Sequence, residues 1–219
     1  LVGSPIAENN KVYTASSTAF ICADAVSGKV IWKNNLPMSY SQGTPLIQGD
    51  KIFFGVWDSY VYCLDKNTGK LIWKWNNGNE KQILYSAGNV NIVSSKNRLY
   101  FVTPQRFLTI LDIETGKTLL RTSKWTIRES MGKSQDGKWF YGKTMDGELV
   151  RLPLNDAIEL TEESFVNQSK VLDLKWGYEH NPAAILEKNN KIYLGSRKGE
   201  VIIVDAVKFE IVKQINLGS

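Results

Sequence analysis

"YCLDKNTGKLIWKW", Tyr62–Trp75, is an alternating strand that ends in Asp65, turns over Thr68-Gly69-Lys70 and leaves as a second strand carrying Trp73. The stretch is written more than once. Upstream, "ICADAVSGKVIWKN" places Asp24, Gly28 and Trp32 each 41 residues before Asp65, Gly69 and Trp73. Downstream, "TILDIETGKTLLRT" keeps Asp112 and Gly116 and puts Leu120 where the Trp stands. "VIIVDAVKFEIVKQ" keeps Asp205 and has Phe209 in place of the Gly, and "LVRLPLNDAIELTE" has Pro153 in place of the Asp. The anchors at 24, 65, 112, 153 and 205 are separated by 41, 47, 41 and 52 residues. A period in the forties marks a repeat architecture.

The same pieces precede every anchor. A short apolar run comes first ("GSPIAE", "GTPLIQ", "VNIVSS", "ESMGKS", "NPAAIL"). An aromatic-rich run follows ("KVYTAS", "KIFFGV", "RLYFVT", "KWFYGK", "KIYLGS") and leads into the anchor strand. Runs of this length, rich in β-branched and aromatic residues and bounded by Gly, Asn, Asp and Ser, are strands. Asp146-Gly147 and Lys198-Gly199 suit two-residue hairpins, because Gly accepts positive φ. Four antiparallel strands per unit and five units predict an all-β propeller. The chain reads as one domain over 1–219, with blades at about 1–36, 37–78, 79–123, 124–165 and 166–219. Small residues such as Gly43, Gly88, Gly132, Ala183 and Ala184 suit the close packing of innermost strands. Asp24, Asp65, Asp112 and Asp205 are expected to cap their turns, and Gly28, Gly69 and Gly116 to supply the left-handed residue. Trp32 and Trp73 are expected to pack onto the next blade.

The pattern small-x-Asp-x-x-Thr-Gly-x-x-x-Trp resembles the tryptophan docking motif of the PQQ-like repeats of quinoprotein alcohol dehydrogenase-like propellers. "LDKNTGKLIW" and "ADAVSGKVIW" fit it closely, "LDIETGKTLL" fits without the Trp, the last blade keeps only the Asp and the fourth keeps almost nothing. The resemblance spans the chain blade by blade and is far more specific for fold than for function. It implies seven or eight blades, so five visible blades fit either a five-blade ring or part of a larger one, and the resemblance favours the larger. It also implies a bacterial, periplasmic or extracytoplasmic setting. Non-enzymatic relatives are of the BamB type, and similar domains occur beside kinase or calcineurin-like phosphoesterase domains. The resemblance therefore implies a binding or scaffold module that recognises a protein or a fused domain, and is no enzyme itself. A quinoprotein-like dehydrogenase and a glycan-binding propeller are the alternatives. The family's enzymes use a bound quinone, Ca²⁺, a carboxylate base and often a disulfide of adjacent cysteines. Here Cys22 and Cys63 are 41 residues apart at equivalent blade positions. They read as small buried strand residues too distant to bridge, and no cofactor is expected.

Composition adds boundaries. At 219 residues the chain is long enough for one repeat domain with a substantial core. No apolar stretch approaches a transmembrane length. The net charge of +5 is spread along the chain. It reads as solubility and guarded strand edges rather than a nucleic-acid footprint.

The loops that lead into the innermost strands carry the chemistry-bearing residues: "PMSYSQGTP", "EKQILYSAGN", "SKWTIRESMG" and "DLKWGYEHNP". Together with the hairpins between second and third strands they define one candidate recognition face. It comprises Tyr40, Gln42, Trp57, Tyr85, Arg106, Trp125, Arg128, Glu129, Trp176, Tyr178, Glu179, His180 and Arg197. Tyr, Trp and Arg are favoured interface anchors. Three readings stand for Glu129, Glu179 and His180: acid–base or metal chemistry, a polar recognition surface, or carboxylates that bond the amides of neighbouring channel strands. Rim tryptophans 125 and 176 would be the platform for a glycan. On this division, Asp65 carries stability and Glu179 carries binding.

Overall fold

The structure, a computed structural model, describes residues 4–16, 18–36, 43–78, 91–180 and 183–218, and of Glu129 the backbone alone. The chain is all-β, with five four-stranded antiparallel sheets and one short helix among the described residues. It is a β-propeller fold built from blades. Blade 1 holds β1 (Ile6–Glu8), β2 (Lys11–Ala15), β3 (Phe20–Asp24) and β4 (Val30–Asn34). Blade 2 holds β5 (Leu46–Gln48), β6 (Lys51–Gly55), β7 (Val61–Asp65) and β8 (Leu71–Trp75). Blade 3 holds β9 (Val93–Ser94), β10 (Arg98–Val102), β11 (Leu108–Asp112) and β12 (Thr118–Thr122). Blade 4 holds β13 (Ile127–Lys133), β14 (Trp139–Thr144), β15 (Glu148–Pro153), α1 (Glu162–Gln168) and β16 (Lys170–Asp173). Blade 5 holds β17 (Leu186–Lys188), β18 (Lys191–Gly195), β19 (Glu200–Asp205) and β20 (Glu210–Asn216). Two compact units divide the chain: Leu1–Ile92 with Asp112–Lys117, and Val93–Leu111 with Thr118–Ser219.

In the first unit the repeated motif is a docking joint. Asp65 Oδ1 accepts from the Asn67 and Thr68 amides at 3.0 and 2.7 Å and from the Thr68 hydroxyl at 2.8 Å. Asp24 does the same with Val26 and Ser27, and Asp112 with Thr115. Each turn then closes through a residue of positive φ, Gly28, Gly69 or Gly116, whose amide donates to the carbonyl of the anchor Asp. The preceding blade's Trp lies on that Gly. A Cβ on Gly69 would sit 2.4 Å from Cε3 of Trp32, and one on Gly116 2.7 Å from Cδ2 of Trp73. The indole N–H of Trp32 donates to the Lys66 carbonyl at 3.0 Å, and that of Trp73 to the Ile113 carbonyl at 3.2 Å. The acceptor is in both cases the residue after the anchor Asp. A bulge in β4 and in β8 keeps the Trp opposite Cys22 and Cys63. Around Trp32, residues Tyr13, Phe20, Phe54 and Tyr62 form a continuous aromatic core.

The second unit is built on the same sheet plan with different joints. In blade 5, Phe209 stands at the Gly position with φ 62°, and its amide still donates to the Asp205 carbonyl at 2.8 Å. Pro153 removes the anchor from blade 4, and the β15–β16 connection there is long. The repeat spacing places the end of blade 4 at about 165, but that residue lies inside α1, and β16 pairs with β15 from Arg151↔Lys170 to Glu148↔Asp173. The boundary belongs after Asp173. A helix is inserted where the other blades have a tight turn. Thr161 caps it by accepting from the Ser164 amide at 3.1 Å, and Glu162 and Glu163 occupy its positive end. The innermost strands approach closely: a Cβ on Gly132 would sit 2.1 Å from the Ile185 carbonyl oxygen. Ala183 and Ala184 are exposed, and Gly88 lies outside the described residues.

Two measurements check the joint. Gly28 and Gly69 share a φ of +71°, but a Cβ meets nothing within 4 Å at Gly28 and meets the Trp32 ring at Gly69. Gly28→Ala is expected to cost about 1 kcal/mol, the left-handed penalty alone. Gly69→Ala adds overpacking and should lose a further ~1–3 kcal/mol in urea unfolding. Equal losses would contradict the docking contact. The anchors also set an acid limit. Hydrogen bonds from Ser27, Thr68 and Thr115 hold Asp24, Asp65 and Asp112 below the ordinary carboxylate range. Lys191 and the turn amides bring Asp205 down to about 2. A carboxyl whose folded pKa is depressed stabilises above its unfolded value of about 3.9 and loses that stabilisation as the pH falls through the folded value. Urea midpoints should therefore drop between about pH 4 and about pH 2, and less steeply in Asp65→Asn.

Candidate functional site

The second unit gathers several of the candidate residues at one end of its sheets. The strand ends bring together the β14–β15 hairpin, the β18–β19 hairpin and the segment Leu174–His180. They are tied by backbone bonds from Leu174 to the Gly147 carbonyl at 3.0 Å and from Glu179 to the Met145 carbonyl at 3.0 Å. Met145 in turn donates to the Thr126 carbonyl at 3.1 Å. Gly147 is required here: its φ is +79°, and a Cβ would meet the Gly177 carbonyl oxygen at 2.4 Å.

Glu179 is the hub. It is 2% exposed. Its Oε1 accepts from the Arg197 amide at 2.8 Å and lies 3.9 Å from Nζ of buried Lys143. Its Oε2 lies 3.9 Å from Nε of Arg197, whose guanidinium sits over the Tyr178 ring at 5.7 Å. Lys143 Nζ is 5.8 Å from the centre of the Trp176 ring. A cavity of about 10 Å³, lined by Arg128, Ser130, Lys143, Thr144, Met145, Glu179 and His180, lies beside it. That is room for about one water. Glu179 does bond a backbone amide, but it is that of Arg197 in the β18–β19 hairpin and not of an innermost strand. The carboxylate fixes the β18–β19 hairpin against the Leu174–His180 segment.

The remaining candidates are spread out. Trp125 and Trp176 are 6% and 7% exposed, so their rings are covered by the protein itself and present no flat platform. Arg128 and His180 are half-buried. Tyr178, 60% exposed, and Arg197 form the open part of the cluster. Arg106 is exposed on the β10–β11 hairpin of the same unit with φ 66°. Trp57 belongs to the β6–β7 hairpin of the first unit, beside Asp58, which accepts from the Tyr62 hydroxyl. Burial raises the Asp58 pKa above the usual carboxylate range. Tyr40, Gln42, Tyr85 and the Glu129 side chain lie outside the described residues. Cys22 and Cys63 are buried free thiols, and burial pushes Cys63 up to about 12. Among the described residues no three His, Cys, Asp or Glu side chains are grouped to hold a metal ion.

Sequence reasoning missed Lys143 and Ser130. Lys143 stands in an aromatic run, "KWFYGK", and nothing in the pattern says that its ammonium turns inward toward a residue 36 positions away.

Comparison with known proteins assigns the class. The family model of the outer membrane protein assembly factor BamB matches residues 1–124, more than half of the chain. The chain belongs to this family of PQQ-like repeat propellers. The crystal structure of BamB from Moraxella catarrhalis superposes with a TM-score of 0.70 at 16% identity, over 98% of this chain and 63% of that one. The quinoprotein ethanol dehydrogenase of Pseudomonas aeruginosa is 39% identical over 69 residues, covering 28% of this chain and 11% of the enzyme. Quinohemoprotein alcohol dehydrogenase ADH IIB of Pseudomonas putida is 26% identical over 137 residues, covering 55% of this chain and 20% of the enzyme. The chain thus spans a fifth or less of these curated relatives' length. No described helix is long and apolar enough to cross a membrane.

The burial of Glu179 gives a direct expectation. Glu179→Ala removes the carboxylate that faces buried Lys143 and should lower stability by about 3–5 kcal/mol. Arg197→Ala, at the exposed end, should cost under about 1 kcal/mol. A Glu179→Ala protein as stable as the parent by urea unfolding would remove Glu179 from the framework.

Proposed function

We propose that the chain is a non-catalytic recognition module that binds a protein partner through the loop face around Tyr178 and Arg197. The observation that carries the proposal is the construction of this face: a buried carboxylate and ammonium brace two loops from below, and an aromatic and an arginine stand open above them. Tyr and Arg on a rigid support have the composition of an interface anchor. A brace of this kind holds the anchor in one geometry before binding and so lowers the ordering cost of association. The family description, an outer membrane assembly factor, favours a protein partner and an extracytoplasmic location. The small share of its curated relatives that the chain spans fits a role as the recognition part of a larger protein, and a fused phosphoesterase is one such arrangement.

The test is site-specific photocrosslinking in the source cells. A photoreactive residue at Tyr178 or Arg197 should yield a discrete protein adduct, and one at Val26, an 85% exposed turn residue of the first unit, should yield none. No adduct from the loop positions, or the same adduct from all three, would overturn the assignment. The dehydrogenase reading has its own readout. Protein supplied with a quinone cofactor, calcium and primary alcohols should reduce no dye above background, whereas steady alcohol-dependent turnover would establish an enzyme.

A further inference from the structure

A cavity of about 600 Å³ opens between blades 4 and 5, inside the second unit. It lies at the end of the sheets that carries the β17–β18 turn (Asn189-Asn190) and the β19–β20 turn (Asp205–Phe209), remote from the Glu179 cluster at the other end. It lies where the docking joint differs from that of the first unit. In β8, Trp73 stands opposite Cys63; at the matching place in blade 4, Lys170 stands opposite Arg151. With no indole to fill the joint, Arg151 takes over its bonding. Its Nη1 donates to the Ala206 carbonyl at 2.7 Å, the residue after the anchor Asp205, as Trp32 and Trp73 do in the first unit. Its guanidinium lies 4.6 Å from the ring centres of both Trp139 and Phe209. Phe209 occupies the Gly position. A second exchange lies beside it: Lys11, Lys51 and Lys191 pair across the sheet with Asp24, Asp65 and Asp205, but Trp139 pairs with Pro153.

The walls mix charged, amide and aromatic groups. Arg151 is 6% exposed, and its Nε–H has no hydrogen-bond partner among the described residues. The buried Tyr141 hydroxyl donates to Glu187 Oε2 at 2.5 Å. Asp136 is matched by Lys138 at 3.2 Å. Arg151 and Glu187 are opposite in charge and close enough to act on each other, and Lys138 matches Asp136, so the cavity keeps little net charge with which to hold an ion. What remains is a mixture of hydrogen-bond donors and acceptors from Gln135, Asn190 and Glu187, beside the half-buried Trp139 ring. Its volume is that of a small-ligand pocket. Amides, a carboxylate and an indole together match a neutral polyhydroxylated ligand: hydroxyls meet the polar groups, and the C–H face of a sugar ring meets the indole.

We infer that this inter-blade cavity binds a neutral oligosaccharide, with Trp139 as the stacking surface and Glu187 and Asn190 as hydroxyl partners. The inference stands apart from the loop-face proposal, which concerns the other end of the sheets.

The probes are maltotriose, cellotriose and the N-acetylglucosamine trimer, each titrated against the intact chain by ligand-observed saturation-transfer NMR. At least one should show saturable binding with a Kd near 1 mM or tighter, about −4 kcal/mol. Trp139→Ala removes the stacking surface, but Arg151 packs on that ring, so it risks misfolding. Val207→Trp carries the decision instead. Val207 is 70% exposed at the cavity wall, and the substitution should leave the urea midpoint unchanged while weakening the trisaccharide at least about tenfold. No transfer to any of the three probes at about 10 mM, or binding that Val207→Trp leaves intact in a folded protein, overturns the inference.

Discussion

The blades are held by what one blade places on the outer turn of the next. In the first unit that object is an indole lying flat on a glycine, with its N–H on the carbonyl after the anchor Asp. The constraint is mutual. The ring needs a residue with no Cβ, and the turn needs a residue that tolerates φ near +70°. Glycine meets both needs at once. The Asp closes the arrangement by holding the turn amides in place, so a three-residue signature in sequence is a single mechanical joint in space. Truncating a buried Trp of this kind typically costs ~3–5 kcal/mol, which makes the joint a main source of cohesion within the unit.

The second unit shows that the joint has an alternative solution. Arg151 reaches the same carbonyl position and stacks on Phe209, which occupies the glycine position at the same left-handed φ. Arg98 does a related task for the long β15–β16 connection, donating to the carbonyls of Asn155, Asp156 and Ile158 at 3.2, 2.6 and 3.1 Å. A planar guanidinium stacks and donates in the same plane as an indole, and it carries more donors. The Arg151 joint lies on the wall of the cavity between blades 4 and 5.

Much of this was legible in the sequence. The period of the anchors, the Asp–Gly–Trp spacing and the aromatic runs carry the blade count, the strand order and the destination of Trp32 and Trp73, because each depends on local pattern. The helix α1 was missed, although Thr161-Glu162-Glu163 carries a helix start, because the repeat pattern promised a tight turn there. The arginine joints were also illegible. Arg151 occupies a position that Cys22 and Cys63 fill in other blades, and only the register shows that it faces the next turn. On the loop face, type and location separated: Trp125, Trp176 and Glu179 sit where the reading put them along the chain, but burial turns them into framework. Alternation shows that a loop residue is near an end of a sheet and is silent on whether its side chain turns in or out.

The claim on which this account depends is that Arg151 with Phe209 is the counterpart of the Trp–Gly joint. Transplanting one into the place of the other tests it most directly. Arg151→Cys alone should lower the unfolding free energy by about 2 kcal/mol through loss of a charge-assisted bond and its stacking. Adding Lys170→Trp and Phe209→Gly recreates the first unit's joint and should recover most of that loss. If the triple variant is no more stable than Arg151→Cys, or if Arg151→Cys costs nothing, the two joints are not equivalent and the account is contradicted.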